Sequence, residues 1–264
     1  MTGTEGGTDE LTLLLQLTDP HLCVSEGEPD ERLARAVAAA LELRPRPLAV
    51  LISGDIADEP APEVYARAHS IVGRLGIPVH AIPGNHDDRD LLAMEFAGRA
   101  SATGDPVHVL AYVGALRLVG LDTTVPGSPG GTLEPSQLQW LERTLSDEPA
   151  RPTLLALHHP PVASGIRAMD AMALGTDDAD RLESLLDSHP QVLAVTCGHV
   201  HRTITTQFAG RPLTFCPSTN SALRLDLRTG EEVPLTFPEQ PLGFAVHALA
   251  GGRLLSHVQP LDAG

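Results

Sequence analysis

The sequence predicts an α/β (α+β) fold in which two mixed sheets pack face to face and helices cover their outer faces. Through the first half of the chain, short apolar runs alternate with helical patterns, which is typical of βα units and a mainly parallel sheet. Two strand patterns then meet at Gly114, which predicts an antiparallel hairpin that interrupts the alternation. Beyond residue 220 only short strands separated by Pro and Gly turns are predicted. Together these patterns favour two packed sheets.

The individual elements follow from the spacing of apolar residues. Strands are predicted where short apolar runs are bounded by turn residues, and they span residues 11–17, 48–53, 78–82, 107–113, 115–121, 153–157, 192–196, 203–208, 213–215, 244–249 and 253–258. Helices are predicted where apolar residues recur every three or four positions, and they span residues 31–43, 63–75, 89–96, 135–145 and 179–186. Thr132 is the predicted N-cap of the fourth helix.

The length of 264 residues fits one large domain. Residues 1–10 are acidic and rich in Gly and Thr, which predicts a flexible N-terminus before a single domain over residues 11–264, with residues 221–264 as its strand-rich C-terminal segment. No signal-peptide pattern is present, and no apolar run approaches the roughly 18 residues that span a bilayer. We therefore expect a cytoplasmic protein. Three cysteines without a C-x-x-C pair argue against a disulfide framework.

The charge of the chain limits its partners. Asp and Glu number 34 against 18 Lys and Arg, which gives a formal net charge of −16. Such a charge repels long nucleic acids and anionic membranes, and an aromatic content of 3% offers no stacking surface for single strands. The composition thus predicts neither a nucleic-acid partner nor a membrane partner. Twelve histidines in this acidic chain need another explanation.

Polar side chains follow five predicted strands at the point where each strand ends. Ligands of α/β sheets bind beyond the carboxyl ends of the strands, so these side chains are expected to meet at one edge. The candidates are Asp19, His21, Asp55, Asn85, His158, His199 and His201. A glycine precedes Asp55, Asn85 and His199, and is expected to let the chain turn sharply there.

The residue types predict two metal ions. Imidazole and carboxylate together suit first-row ions such as Mn, Fe, Zn or Co. Seven ligands are too many for one tetrahedral centre and fit two ions that share a carboxylate, for which Asp55 is the expected bridge. A lone D-x-H or Gly-Asp is ordinarily a turn, whereas G-N-H-D and G-H-x-H are rarer. All five motifs in one order make chance a poor explanation.

At these motifs the chain resembles the calcineurin-like metallophosphoesterases, whose pattern is D-x-H, G-D-x-x-D, G-N-H-[DE], H and G-H-x-H. The runs GNHDDRDLL, LDTTVPGSPGG, SQLQWLE and ALHHPP resemble the class III cyclic nucleotide phosphodiesterases, the bacterial branch near the cyclic AMP phosphodiesterase of mycobacteria. The resemblance covers roughly residues 11–222 and is weaker beyond them. It implies a four-layer α/β/β/α sandwich and two divalent or trivalent ions, with Fe and Mn favoured and Zn or Co as alternatives.

The resemblance also implies roles for particular residues. One ion would be held by Asp19, His21, Asp55 and His201, and the other by Asp55, Asn85, His158 and His199. His158 is the expected ligand of the adjacent pair, with His159 beside it. His86 is the implied catalytic residue and Asp58 the carboxylate that orients it, although a carboxylate at position 58 is also compatible with a solvated loop.

The implied reaction is hydrolysis of cyclic nucleotides, 3′,5′-cyclic AMP first and 2′,3′-cyclic nucleotides as well, by attack of a hydroxide that bridges the ions. A glycerophosphodiester or broad small-diester hydrolase is the alternative, because the motifs specify phosphate chemistry and not the alcohol. A silent metal-binding scaffold is disfavoured by the complete ligand set. The implied substrate is a small phosphodiester, and relatives of this kind favour a homodimer. Loops 24–28, 125–132 and 164–175 are expected to select the substrate.

Overall fold

The computed structural model describes residues 11–97, 105–228, 234–238 and 241–262. Its strands are β1 (Thr12–Leu17), β2 (Ala49–Ser53), β3 (Val79–Ile82), β4 (Val109–Val113), β5 (Leu116–Gly120), β6 (Thr153–Ala156), β7 (Val192–Cys197), β8 (Ile204–Phe208), β9 (Arg211–Phe215), β10 (Gly243–Ala250) and β11 (Arg253–Pro260). Its helices are α1 (Glu28–Leu41), α2 (Pro62–Gly73), α3 (Arg89–Phe96), α4 (Pro135–Asp147), α5 (Arg167–Asp170) and α6 (Thr176–Asp187). The predicted flexible segment 1–10 lies outside the described residues.

The strands form two mixed sheets, as predicted. The first has the order β11, β10, β1, β2, β3, and the second the order β4, β5, β6, β7, β9, β8. Strands β1, β2 and β3 run parallel, as do β5, β6, β7 and β9, so their carboxyl ends lie at common edges. β4 and β5 form the predicted antiparallel hairpin. The C-terminal strands complete the first sheet, because β10 pairs antiparallel with β1 and β11 with β10.

Alternating side chains along the strands divide the core into three layers. Leu14 of β1 and Leu51 of β2 point between the sheets, where they pack with Leu154 of β6. Their neighbours Leu15 and Ile52 point outward against helices α1, α2 and α3. The outer face of the second sheet packs in the same way on α4 and α6. The four-layer α/β/β/α arrangement is therefore confirmed.

Several element boundaries differ from the prediction. α1 begins three residues early, at Glu28, because Pro29 occupies its first turn, where a missing N–H costs nothing. The short helix α5 was not predicted. The predicted N-cap Thr132 is wrong: Glu134 directly precedes Pro135 and caps α4, and its N–H donates to the Gln137 side chain (2.8 Å). Thr132 instead donates its hydroxyl to Asp178 (2.6 Å). Among the described helices, none is both long and apolar enough to cross a bilayer.

A polar network lies buried inside the sandwich, next to the strand ends. The Gln16 side chain donates to Ser53 Oγ (2.8 Å) and accepts from Thr196 Oγ1 (2.7 Å). Its oxygen also lies 2.8 Å from His247 Nε2, which makes this nitrogen the donor, since an amide oxygen only accepts. The other nitrogen, Nδ1, then accepts from Ser256 Oγ (2.8 Å). The network thus holds His247 as a neutral imidazole, and burial lowers its pKa to about 4.

This buried histidine predicts a pH dependence of stability. In the unfolded chain His247 takes up a proton near its ordinary pKa of about 6.5, whereas the folded protein resists protonation down to about pH 4. The contribution of neutral His247 to the free energy of unfolding is therefore fully present above pH 6.5. It falls as the pH drops from 6.5 towards 4, by about 2 kcal/mol at pH 5. Urea unfolding of wild type and His247→Gln at pH 8 and pH 5 measures how much stability each protein loses. Any loss caused by metal release is the same in both proteins and cancels in the comparison. Equal losses in both proteins would contradict the prediction.

Candidate metal centre

The structure brings the seven predicted ligands together at one edge of the sandwich. Strands β1, β2 and β3 of the first sheet and β6 and β7 of the second lead into them. Backbone bonds tie the loops after β1 and β2, because the N–H of Asp19 donates to the carbonyl of Gly54 and that of His21 to Asp55, each at 3.0 Å. Across the second sheet, the Gly198 N–H donates to the carbonyl of His158 (3.2 Å). The loops of both sheets therefore converge on one place.

Five of the predicted ligands have a left-handed backbone. Among the described non-glycine residues, only these and Ala209 have positive φ, and the values for the five lie between 47° and 69° at Asp19, His21, Asp55, His199 and His201. Each such residue costs on the order of 1–3 kcal/mol and persists only where its surroundings fix it. Asp and His tolerate this conformation better than β-branched residues do. Backbone strain is therefore concentrated at this one site.

Two of the three motif glycines act differently from the prediction. Among Gly54, Gly84 and Gly198, only Gly54 has a left-handed backbone, with φ +98°. Gly84 and Gly198 are needed for space: a Cβ on Gly84 would collide with the Asp55 carboxylate, and one on Gly198 with the Thr18 hydroxyl. The ligands Asp55 and His199 have positive φ and Asn85 does not, while Gly84 and Gly198 allow neighbouring loops to touch.

The steric role of Gly84 predicts the effect of a single methyl group. Gly84→Ala places its Cβ against Asp55 and 2.7 Å from the His158 ring, both fully or almost fully buried. We expect the free energy of unfolding to fall by about 1–3 kcal/mol. Gly73→Ala is the matched control, because its Cβ would meet no heavy atom within 4 Å. Urea unfolding measures both variants, and equal stabilities would show that the site tolerates the methyl group.

Asp19, His21 and His201 form the first ligand group. They are among the His and Asp clusters whose ligand atoms lie within 4.8 Å of one another. His21 Nε2 lies 3.1 Å from His201 Nε2, which in turn lies 3.4 Å from Asp19 Oδ1. The other ring nitrogen of His201 contacts Ser221 Oγ (2.9 Å), and Asp19 accepts the Thr18 hydroxyl (2.8 Å). Because Nδ1 of His201 contacts Ser221, its Nε2 is the nitrogen directed at His21 and Asp19.

The second group contains buried ligand atoms that make no hydrogen bond. Among the described residues, four buried side-chain N or O atoms lack a hydrogen bond, and three of them are Asn85 Oδ1, His158 Nε2 and His199 Nε2. Buried polar atoms nearly always form hydrogen bonds, so three such atoms without one at a single place fit a metal-binding site. His158 Nε2 lies 3.3 Å from Asp55 Oδ2. An amide oxygen, two imidazoles and a carboxylate are a donor set that suits a first-row metal ion.

The adjacent histidines 158 and 159 differ in their contacts. His158 directs Nδ1 to the Ser53 carbonyl (2.8 Å), which leaves Nε2 facing the site. His159 uses both nitrogens elsewhere, at Thr123 Oγ1 (2.7 Å) and the Pro129 carbonyl (3.2 Å). His159 is therefore committed to the protein, and His158 is the member of the pair that offers a nitrogen.

The proposed ligands differ in the direction of their pKa shifts. Burial alone would raise the pKa of the Asp55 carboxyl, but the neighbouring His158 and His21 hold it well below its usual value. Burial and the positive charge of His158 lower the pKa of His199 to about 3, which keeps this imidazole neutral. Burial opposes protonation of His158, but the neighbouring Asp55 carboxylate raises its pKa to about 9. Metal ions bind the carboxylate and the neutral imidazole, so an ion at His158 Nε2 would displace a proton, whereas His199 and Asp55 already have the binding form.

His86 and Asp58 lie beside the ligands. The His86 side chain is 42% exposed, and its Nδ1 lies 3.1 Å from Asp58 Oδ1. The same carboxylate oxygen lies 3.2 Å from Nδ1 of His21, and this contact lowers the pKa of Asp58. Asp58 therefore orients two imidazoles, one more than the sequence predicted. The Asp58 side chain is 46% exposed, as the solvated-loop alternative also predicts.

Asp87 is a site residue that sequence reasoning missed. Its carboxylate accepts from the backbone of Gly84 (2.9 Å), Ile56 (3.0 Å) and Ala57 (3.0 Å) and from the Tyr65 hydroxyl (3.1 Å). It thus joins the loop after β2 to the loop after β3, which carry Asp55 and Asn85. The sequence feature that could have identified Asp87 is its place as the last residue of G-N-H-D. Its carboxylate binds the backbone of the two loops and is not one of the predicted metal ligands.

A cavity of about 500 Å³ opens onto the predicted ligands. Of the loops expected to select substrate, 125–132 contributes Pro129 and 164–175 contributes Met169 and Met172, whereas 24–28 contributes no lining residue. Its remaining apolar wall includes residues from the C-terminal segment that the sequence did not assign to the site: Leu223, Leu235 and Phe237.

Comparison with known proteins finds relatives that match most of the chain. A probable glycerophosphodiester phosphodiesterase of Arcobacter nitrofigilis is 31% identical over 242 residues, which cover 89% of this chain and 88% of that protein. A probable cyclic nucleotide phosphodiesterase of Synechococcus is 37% identical over 222 residues, covering 80% and 82%. Among solved structures, a dimetal phosphatase from Danio rerio superposes with a TM-score of 0.64 at 16% identity over 96% of this chain and 99% of that one, a likeness of fold.

The model of the calcineurin-like phosphoesterase family matches residues 12–203. This range contains every predicted ligand and both predicted catalytic residues. Dinuclear metal centres are used by this family, and the described residues include His and Asp groups able to hold metal ions. With most of the chain matched, and two relatives above 30% identity along four-fifths of it or more, this protein belongs to the calcineurin-like phosphoesterases.

Proposed function

We propose that the protein is a dinuclear metal-dependent phosphodiesterase that hydrolyses cyclic nucleotides, 3′,5′-cyclic AMP first and 2′,3′-cyclic nucleotides as well. The observation that carries the metal dependence is the set of three buried ligand atoms without a hydrogen bond, at Asn85, His158 and His199. Family membership and the names of the relatives support phosphodiesters as the substrate class.

Each proposed ion has its own ligands, with one shared between them. Asp19, His21 and His201 would hold the first ion, Asn85, His158 and His199 the second, and Asp55 both. Fe and Mn are the proposed occupants, with Zn or Co as alternatives, because the donors mix imidazole, carboxylate and amide. When bound, the ions would neutralise the phosphate and lower the pKa of the attacking water.

The residues of the chain would complete the reaction at the leaving oxygen. His86 is held through Nδ1 by Asp58, so its Nε2 is the nitrogen available to substrate. A protonated Nε2 there would donate its proton to the ribose oxygen as the bond to phosphorus breaks. The carboxylate of Asp58 would stabilise the imidazolium and fix the ring. Both residues lie at the cavity, where a bound diester would reach them.

The apolar wall of the cavity supports a nucleoside over a glycerol group. Met169, Met172, Leu235 and Phe237 offer polarisable or aromatic surface on which a base would pack. A glycerol group has no comparable apolar face. The alternative, a glycerophosphodiester hydrolase, is favoured by the relative in Arcobacter nitrofigilis, whose similarity spans most of both chains.

Two assays test this proposal. Metal-loaded protein is first given bis(p-nitrophenyl) phosphate, for which turnover is expected and a silent scaffold would show none. The values of kcat/KM are then compared for cyclic AMP, cyclic GMP, 2′,3′-cyclic AMP and glycerophosphodiesters. A preference for cyclic nucleotides of tenfold or more supports the proposal, while the reverse preference establishes the glycerophosphodiester alternative.

A further inference from the structure

Residues 218–221 form a hydrogen-bonded loop beside the first ligand group. Ser218 Oγ accepts the N–H groups of Asn220 (2.9 Å) and Ser221 (3.0 Å), and its hydroxyl donates to the Asp19 carbonyl (2.8 Å). The Thr219 N–H donates to the Thr18 carbonyl (3.1 Å). Ser221 in turn contacts His201 through its Oγ. The backbone of this loop is therefore held by groups that do not involve the Asn220 side chain.

The Asn220 side chain is held by helix α1. Arg32 of α1 donates through Nη1 to the Asn220 carbonyl (2.8 Å) and to Asn220 Oδ1 (3.2 Å). Through Nη2 it donates to Glu28 (2.8 Å), which steadies the guanidinium. A guanidinium only donates, so the amide atom that faces it is the oxygen. The orientation of the Asn220 amide is thereby determined.

This orientation leaves the amide NH₂ group of Asn220 available. Asn220 lines the cavity that holds the predicted ligands, and its Nδ2 has no hydrogen bond among the described residues. A side chain used only to hold the loop would direct its donors into the protein. Here the loop is held by other atoms, and two N–H donors remain on a residue next to Ser221, which contacts the proposed ligand His201.

We propose that the Asn220 amide donates a hydrogen bond to a non-bridging phosphate oxygen of the substrate, and that Arg32 positions it for this contact. The inference rests on the phosphodiesterase activity proposed above. A phosphate oxygen fits because Asn220 adjoins the ligand end of the cavity, whereas a base would pack against the apolar wall of Met169, Met172, Leu235 and Phe237. A neutral donor also binds the anion without competing for the metal ligands.

Binding of inorganic phosphate to the metal-loaded protein, measured by calorimetry, tests this contact without any turnover. Hydrogen bonds to charged groups are strong enough that Asn220→Ala should lower the affinity for phosphate about 10- to 100-fold. Asn220→Asp keeps the oxygen for Arg32, removes the donor and adds a negative charge, so a larger loss is expected. Both variants should keep the metal content and melting temperature of wild type. Unchanged phosphate affinity in both would overturn the proposal.

Steady-state kinetics then identify the substrate atom. The loss in kcat/KM on Asn220→Ala should be similar for bis(p-nitrophenyl) phosphate and cyclic AMP, since both carry the phosphate. A loss confined to cyclic AMP would place the contact on the nucleoside and overturn the phosphate assignment. If wild type bound phosphate through Asn220 but hydrolysed no diester, the proposed function would fail while this contact stood.

The role of Arg32 is tested by a double variant. Arg32→Ala should lower the affinity for phosphate by a smaller factor than Asn220→Ala. Because Arg32 acts through the Asn220 amide, the double variant should bind phosphate about as well as Asn220→Ala alone. Arg35→Ala, on an exposed position of the same helix, is the matched control for charge and should leave phosphate affinity unchanged. Independent, multiplying losses for Arg32 and Asn220 would overturn the positioning role.

Discussion

Replacing Asp55 with alanine is expected to remove both metal ions and at least about 10³-fold of the phosphodiesterase activity. One oxygen of this buried carboxylate lies 3.3 Å from His158 Nε2 and 3.6 Å from His21 Nε2, so it reaches both ligand groups. The other oxygen accepts the His86 N–H (2.9 Å) and so fixes the loop that carries Asn85. Alanine would therefore remove the proposed bridge and also loosen a neighbouring ligand. Metal content per chain and turnover of bis(p-nitrophenyl) phosphate measure the two losses.

Two further variants make the result interpretable. Asp55→Asn keeps the shape and one oxygen but loses the charge, so it should bind metal more weakly than wild type and more strongly than Asp55→Ala. Asp180→Ala removes an exposed carboxylate of α6, far from the site in sequence and contacts, and should change neither quantity. Two ions per chain with full activity in Asp55→Ala would show that this residue does not bridge the ions.

The sequence predicted the residues of the site because strand ends are encoded locally. Apolar runs marked where β1, β2, β3, β6 and β7 stop, and the residues directly after them had to emerge at those ends. Parallel pairing then placed the ends side by side, a consequence of βα alternation that needs no three-dimensional information. The glycines were recognised for the same reason, although the structure gives two of them, Gly84 and Gly198, a steric role in place of a conformational one.

The wall of the cavity was not predictable in the same way. Leu235 and Phe237 reach the cavity wall from a part of the chain with neither strand nor helix, so no hydrophobic periodicity predicts their position. Asp87 and Asn220 act through hydrogen bonds to residues distant in sequence, Ile56 and Arg32, and such pairs are visible only after folding. Residues whose position depends only on where a strand ends could be predicted from the sequence. Contacts between loops that are distant in the chain could not.

His86→Ala is expected to separate metal binding from catalysis. The contact of this residue with Asp55 comes from its backbone N–H, which alanine retains, and its ring is partly exposed, so the metal content should stay at the wild-type level. The imidazole is the group placed to protonate the leaving oxygen, and its loss should lower kcat about 10²- to 10⁴-fold. Asp58→Asn, which leaves the ring in place and weakens only its orientation, should have a smaller effect. Because p-nitrophenolate leaves without protonation, the deficit of His86→Ala should be much smaller on bis(p-nitrophenyl) phosphate than on cyclic AMP. Equal deficits on the two substrates would instead assign His86 to binding the phosphate, and a loss of metal would make it part of the metal centre.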